Sequence, residues 1–451
     1  MKPLSVAQRG LWLGHALNDD KATFNTAECI AFDGKVDIEA MLSAIRQAVM
    51  ECECLYCQFV ESEGEQVDQP EIGFVASQLP VPIGVLPIIE LLPAPMTDEE
   101  QTIRQWAREE IAQPLDLLNG LPCRFALLCG EKRDFLYSCV HHIALDGFGT
   151  TMLFQRIAQI YTALTAGQPV AVAEFGPFSE VLEEEQQRDA SGQTAQARDF
   201  WLETLNAMPE PASFSEKKAP IAARFLRQSS VLPTDIWQPL TALCEGNKIS
   251  WPDLFLAMLA THLKLVSGSD RLTFGMMVMN RIGSASLTVP SMQMNIVPLC
   301  IQVDEQADFV TLAQQVARTK RTLRRHQHYR YEHLRRDLNR VGGEQRLFGP
   351  LINIMPFDHP LNYGSLSSST LNLSAGPVED LTIEIHFKPD GTPVLDFDAN
   401  PACYSAEALA NLQETLFTLL QRWLAQPQQT SGELLGRWLR EERELALITS
   451  R

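Results

Sequence analysis

The chain has 451 residues, 45% of them hydrophobic and 21% charged, and carries a net charge of −19 at pH 7. That length exceeds one ordinary core, so two lobes are expected, and the composition excludes a mostly disordered chain. The acidic total argues against general affinity for nucleic acid or anionic membranes, and no apolar run reaches the roughly 18–20 residues of a spanning helix. Residues 1–10 lack the continuous apolar core of a signal peptide, so the expected location is the cytoplasm.

In chain order, Cys29–Phe32 reads as a strand, and Ile38, Met41, Leu42, Ile45, Ala48 and Val49 recur at helical spacing. A proline-spaced stretch (80–96) precedes a helix expected over Thr97–Ala112. Phe125–Leu128 and Phe135–Val140 read as strands around the polar turn Gly130–Arg133, and the second runs into His141. Beyond Gly149, Met152, Leu153, Ile157, Ile160, Tyr161 and Leu164 mark a helix that ends at Gly167. Gly167, Pro169, Gly176 and Pro177 then signal an inter-lobe connection, which gives an N-terminal lobe at 1–175 and a C-terminal lobe at 176–451.

A polar helix follows, to about Asn206. Leu272–Met279, Asn295–Val303, Leu351–Met355, Leu381–Phe387 and Val394–Phe397 read as strands. Long helices are expected over 308–340 and 405–425, the latter with the core-facing stripe Leu409, Leu412, Leu416, Leu419 and Leu420. Helices and strands mixed throughout predict an α/β fold class, without internal repeats.

The ten cysteines are scattered. The tightest group, Cys52, Cys54 and Cys57, has no second ligand pair at a matching spacing, so reduced, mostly buried thiols and no metal site are expected. His326, His328 and His333 lack an accompanying carboxylate or thiol cluster and read as surface residues. They lie in a basic stretch (318–340), whose simplest reading is a solvated helix face. The alternative is a dock for an acidic partner or a phosphate group. Gly342-Gly343 is a loop signal without a P-loop around it.

The chemistry concentrates in His141-His142-Ile143-Ala144-Leu145-Asp146-Gly147, on a strand-to-helix turn. A neutral imidazole there can accept a proton from an attacking amine or hydroxyl. The aspartate can hold the turn by pairing with an arginine, and the glycine lets backbone approach a ligand closely. Paired histidines beside a strand are also often structural, and the pattern alone leaves both readings open.

The same run resembles the HHxxxDG signature of nonribosomal peptide synthetase condensation domains, members of the chloramphenicol-acetyltransferase superfamily. Ser5–Trp12 is similar to that family's opening motif, and Phe274-Gly275 with Met294–Leu299 resembles a later motif pair. Leu347–Ile354, Gly376–Leu381 and Ile249–Asp253 resemble the aryl-capping types of siderophore assembly, such as the enterobactin serine module and the vibriobactin amide synthase. The resemblance implies two chloramphenicol-acetyltransferase-like lobes in a V, with a central tunnel entered from opposite faces. It also implies amide formation between a carrier-bound acyl thioester, 2,3-dihydroxybenzoyl, and a carrier-bound amino acid or soluble amine. His142 would position or deprotonate the acceptor, beside Asp146 and with Gly147 near the thioester, while His141, Trp251 and Asn353 bind substrate.

The family's second motif usually carries an arginine thought to pair with the motif aspartate. Here the corresponding segment, Glu51–Phe59, places Tyr56 there, with Arg124 as an alternative partner for Asp146. No adenylation signature or carrier-protein serine motif is present, so no intrinsic cofactor is expected and partner carriers would supply the phosphopantetheine arm. The alternatives are ester formation with a hydroxyl acceptor and a catalytically silent carrier-docking domain. Cyclisation is disfavoured, because that subgroup replaces the histidine pair with aspartates. The tail beyond Gln426 reads equally as a terminus or the edge of a larger synthetase.

Overall fold

Alternating side chains in Asn25–Phe32, Cys123–Cys129 and Asp134–His141 build the centre of a six-stranded sheet with two different faces. In this computed structural model the described residues are 1–62, 71–92, 99–222, 224–340, 345–355, 361–388 and 390–449. The sheet runs Asn362–Tyr363, Leu366–Ser374, Asn25–Phe32, Asp134–His141, Cys123–Cys129, Ile83–Pro87, antiparallel except for the last pair. One face buries Ile30, Phe32, Leu127, Leu136 and Val140 with the helices Ile38–Glu51 and Gly147–Thr165. The other buries Ala27, Cys29, Tyr137 and Cys139 against the helix Glu99–Ile111. Asn25 pairs in register with His141, which fixes the end of the strand that enters the histidine turn. A smaller sheet joins Lys2–Pro3, Glu71–Ala76 and Cys57–Ser62.

The chain divides into two compact units: residues 1–191 with 279–294 and 357–377, and residues 192–278 with 295–356 and 378–451. The single cut expected at 175/176 therefore differs from the observed division in two ways. Phe178 and Val181 bury with Leu4, Ala7, Phe59, Phe74 and Ile143, which keeps the stretch 167–191 in the first unit. In addition, two segments from the second half of the sequence return to the first unit, one of them supplying the strands Asn362–Tyr363 and Leu366–Ser374 at one side of its sheet.

The second unit holds a six-stranded sheet in the order Asn295–Gln302, Arg271–Val278, Leu351–Ile354, Leu381–Phe387, Pro393–Ala399, Leu226–Val231. Phe274, Val297, Leu299, Ile383, Ile385, Leu395 and Phe397 join its apolar core with helices Trp251–Ser267, Phe309–Leu323 and Ala406–Ala425. Glu384, Asp396 and Asp398 alternate with those residues and occupy the opposite face.

The five strands expected in the second half are present, Leu381–Phe387 with both ends as expected and the other four with at least one end shifted by one or two residues. The helix expected over 308–340 is instead two, Phe309–Leu323 and Tyr331–Asp337. Between Leu323 and Leu334 the sequence loses its apolar period. The carboxamide of Asn295 holds the break: its Nδ2 donates to the carbonyls of Gln327 (2.7 Å) and Tyr329 (2.8 Å), and its Oδ1 accepts from Tyr331 N–H (3.0 Å). The helix expected over Thr97–Ala112 is described from Glu99. Thr97 and Gly342-Gly343 lie outside the described residues. No helix among the described residues is long and apolar enough to cross a membrane.

Candidate active site

The strand Asp134–His141 ends where its pleat would next place His142 in the sheet, and the chain turns there instead. Asp146 has extended backbone (φ −95°, ψ 178°) and caps the helix Gly147–Thr165, its Oδ1 accepting from Gly149 N–H at 2.8 Å. The four residues between strand and cap form the turn. His142 N–H donates to Phe24 O (2.8 Å) and Ala144 N–H to His141 O (2.9 Å).

The Asp146 carboxylate is 2% exposed and heavily solvated by protein. Arg281 Nη2 donates to Oδ1 at 2.9 Å and Oδ2 at 3.1 Å, and the N–H groups of Gln293 and Met294 donate to Oδ2 at 2.9 and 2.8 Å. Burial pushes this carboxyl up. The guanidinium and the three backbone donors outweigh it and hold the group below its ordinary value, so Asp146 is ionised. Arg281 is itself fully buried and also donates to the carbonyls of Ser286, Val289 (2.9 Å) and Ser291 (2.6 Å), with Phe148 stacked at 5.0 Å. The pair thus fastens the loop 279–294 to the start of the helix.

The expected partners of Asp146 are replaced by Arg281. Tyr56 is held by its backbone, which donates to Cys52 O (2.9 Å) and accepts from Ser77 N–H (3.1 Å), and its ring packs on the apolar cluster of the first unit. Arg124 pairs with Glu110. Arg281 was not legible because it lies 135 positions from Asp146. Nothing local in Asn280-Arg281-Ile282 marks it as a partner.

The two histidines have different surroundings. His142 Nδ1 is 2.9 Å from the carbonyl of Leu145, an acceptor, so Nδ1 carries a proton, and the neutral form of the ring has its lone pair on Nε2. Gly376, at φ +108°, passes over this ring, and a Cβ there would lie 3.5 Å from His142 Cδ2. His141 is fully buried, and its Nδ1 accepts from Ile143 N–H at 3.1 Å. Its Nε2 meets His15 Nδ1 at 3.1 Å. Burial, then His15 and His142, push His141 well below the ordinary histidine value, so it stays neutral.

Gly147 occupies the first helical position, with open space where a Cβ would stand. The structure therefore gathers His141, His142, Asp146 and Gly147 in one turn of the first unit. Trp251 and Asn353 belong to the second unit. Trp251 opens the helix Trp251–Ser267 and meets Trp237 and Phe387 edge-on at 5.3 and 5.7 Å. Asn353 donates through Nδ2 to Glu384 Oε1 at 3.4 Å.

All ten cysteines are free thiols, eight of them buried, and no cluster of three metal-ligating side chains occurs among the described residues. His326 is no simple surface residue: its ring stacks on Phe200 at 4.0 Å.

A family model described as "Condensation domain" matches residues 1–445. The chain is 38% identical over 420 residues to a dimodular nonribosomal peptide synthase of Bacillus subtilis, covering 93% of the chain and 17% of that protein. It is 29% identical over 430 residues to enterobactin synthase component F of Escherichia coli K12, covering 94% of the chain and 32% of that protein. The chain thus spans between about a sixth and a third of these relatives. Among solved structures, the starter condensation domain of rhizomide synthetase RzmA, in complex with C8-CoA, superposes with TM-score 0.85 at 30% identity, covering 96% of both chains. The first condensation domain of the calcium-dependent antibiotic synthetase, with a substrate analogue, gives 0.86 at 26% identity, covering 96% of this chain and 98% of that one. With the histidine turn in place and the match running the whole length, the chain belongs to the condensation-domain family, the acyltransferases of nonribosomal peptide synthetases.

Proposed function

We propose that this condensation domain joins a carrier-bound 2,3-dihydroxybenzoyl thioester to the amine of a carrier-bound amino acid or a soluble amine, with His142 as the acting side chain. One observation carries the reading. The Leu145 carbonyl accepts a hydrogen bond from Nδ1–H of His142, so in the neutral ring the lone pair lies on Nε2, the atom that would orient, or take the proton of, an acceptor amine as it attacks the thioester. Asp146, ionised and committed to Arg281 and three backbone N–H groups, acts through the turn and not on substrate. Gly147 leaves room for the thioester end of a phosphopantetheine arm, which partner carriers supply. Trp251 and Asn353 contact substrate from the second unit's own elements.

The siderophore reading draws support from the likeness to enterobactin synthase component F. A second donor class is favoured by a specific observation: the rhizomide starter domain, similar over nearly its whole length, was solved with C8-CoA. A medium-chain acyl donor therefore forms the second arm of the test. The test is a mass-spectrometric single-turnover assay that offers 2,3-dihydroxybenzoyl and octanoyl carrier proteins with seryl-carrier, polyamine and matched alcohol acceptors. Amide from the aryl donor that falls about 10²–10⁴-fold in His142→Ala supports base catalysis, and a smaller fall supports positioning. Ester product, or product from the octanoyl donor alone, overturns the corresponding part. No product from any pair, with carrier binding intact, leaves only a docking role.

A further inference from the structure

The reading of His142 leaves two neighbouring imidazoles without a role, and their hydrogen bonds fix each other's protons. His141 Nδ1 faces the N–H of Ile143 at 3.1 Å, and a backbone N–H can only donate, so this nitrogen carries no proton. Neutral His141 must then be protonated on Nε2, inside a fully buried environment where an unpartnered donor is costly. The group that meets that N–H is His15 Nδ1, at 3.1 Å, with the two rings edge to face at 4.9 Å. His15 accordingly accepts through Nδ1 and carries its own proton on Nε2. The order from Ile143 N–H through His141 to His15 is set along its whole length by one peptide group, in the same turn that carries His142.

We propose that His15, on the helix Val6–Leu17, is a positioning residue for the condensation reaction, accepting the Nε2–H of His141 and so holding in place the ring that braces the turn beneath His142. The proposal rests on the reading of His142 as the acting side chain. It also makes the turn sensitive to acid. Protonated His15 would present Nδ1–H to His141 Nε2–H, two donors facing each other. His141 cannot escape by moving its proton to Nδ1, because Ile143 N–H is there. The charged and titratable groups facing the pair are Lys21, whose ammonium sits on the His15 carbonyl at 2.7 Å, and His142 beside His141. Neither favours a further positive charge. Burial first and Lys21 second hold His15 below the ordinary 6.5, so the break comes below that value.

The experiment uses the whole chain with two substitutions. His15→Phe keeps a ring of similar volume and removes the acceptor. His15→Asn keeps an acceptor oxygen near the Nδ1 position and cannot titrate. The expected result is a loss of about tenfold in kcat with KM little changed for His15→Phe. His15→Asn is expected to stay within about threefold of wild type and to hold its activity to lower pH. Nitrogen-15 spectra of histidine-labelled protein read the tautomers directly, without turnover: His141 is expected as Nε2–H in all three proteins, with that N–H hydrogen-bonded in wild type and His15→Asn and shifted to an unbonded signature in His15→Phe. A fully active His15→Phe variant overturns the proposal. So does a His15→Asn variant as impaired as His15→Phe, which would make the contact mere packing. An Nδ1–H signature for His141 in wild type overturns it irrespective of activity. Undiminished turnover by His142→Ala would instead sink the catalytic reading, and the proposed tautomer order would then stand or fall on the spectra alone.

Discussion

Arg281 reaches Asp146 from 135 residues away in sequence, and the two are 0% and 2% exposed. An ion pair so buried gains less from Coulomb attraction than it loses in hydration, unless further hydrogen bonds complete both partners. Here Arg281 also donates to three carbonyls and Asp146 accepts three backbone N–H groups. The pair therefore works as a pin between loop 279–294 and the first turn of the helix Gly147–Thr165.

Removing one side of the pin strands the other. Arg281→Met should lower stability by about 3–5 kcal/mol, read as a fall in Tm, because it leaves a buried carboxylate uncompensated. The double substitution with Asp146→Asn should recover much of that loss. Asp146 has its pKa depressed by folding, so its contribution is present above the unfolded value near 3.8 and is lost as pH falls through the lower folded value. In the Arg281→Met variant burial is opposed by the three backbone donors alone and the carboxyl rises, so the Tm gap to wild type should narrow between pH 7 and pH 5. A gap that stays constant would show that Asp146 is not the stranded charge.

How far the sequence carried these conclusions depended on whether the signal was local. The turn from Val140 to Gly147 was legible because strand, histidines, cap and helix period lie within a few residues. Strands with short apolar runs, such as Asn295–Gln302 and Leu381–Phe387, were legible too. Leu366–Ser374 was not: its Ser-Ser-Ser-Thr start reads as loop, and only pairing with Asn25–Phe32 makes it a strand. Arg281, His15 and Gly376 were invisible for the same reason, since each gains its meaning from a contact that folding makes.

Gly376 should tolerate no side chain. Its φ of +108° lies where L residues are strained, although a Cβ would meet His142 Cδ2 at an ordinary contact distance of 3.5 Å. Gly376→Ala should cost on the order of 1–3 kcal/mol from backbone strain. It should also lower kcat more than its small Tm loss explains, because backbone that shifts to relieve the strain lies in contact with the His142 ring. Turnover unchanged at full occupancy of the folded state would separate Gly376 from the site.

The second unit contains a pH-dependent element of the opposite sign. Glu384 is fully buried, and burial, with the charges of Asp398 and Asp396, pushes its carboxyl up to about 7 against the opposing pull of Arg227. A carboxyl raised by folding contributes stability that is complete below its unfolded value of 4.5 and is lost as pH rises through the folded value. Glu384→Gln, which keeps the shape and can still meet Asn353, should therefore match wild type at pH 4.5 and exceed it in Tm at pH 8. A difference that fails to grow with pH would show that Glu384 ionises at its ordinary value.

The last prediction concerns where on this acidic chain the carriers of the proposed reaction would dock. Arg318, Arg321, Arg324 and Arg325 are exposed at the end of the helix Phe309–Leu323, and none of the ion pairs among the described residues involves them. Their neighbours are committed: Lys320 to Asp253, Arg330 to Glu332, Arg335 to Glu379. A solvated helix face would be indifferent to sign, whereas a carrier dock would not. If the carriers of the proposed reaction land here, Arg321→Glu with Arg325→Glu should raise KM for the carrier-bound substrate about tenfold or more at low salt and leave kcat nearly unchanged. The wild-type KM should rise with ionic strength and the variant's should not, because screening acts only on an attraction that exists. Identical salt dependence in the two proteins would return these arginines to a solvating role and move the carrier to another face.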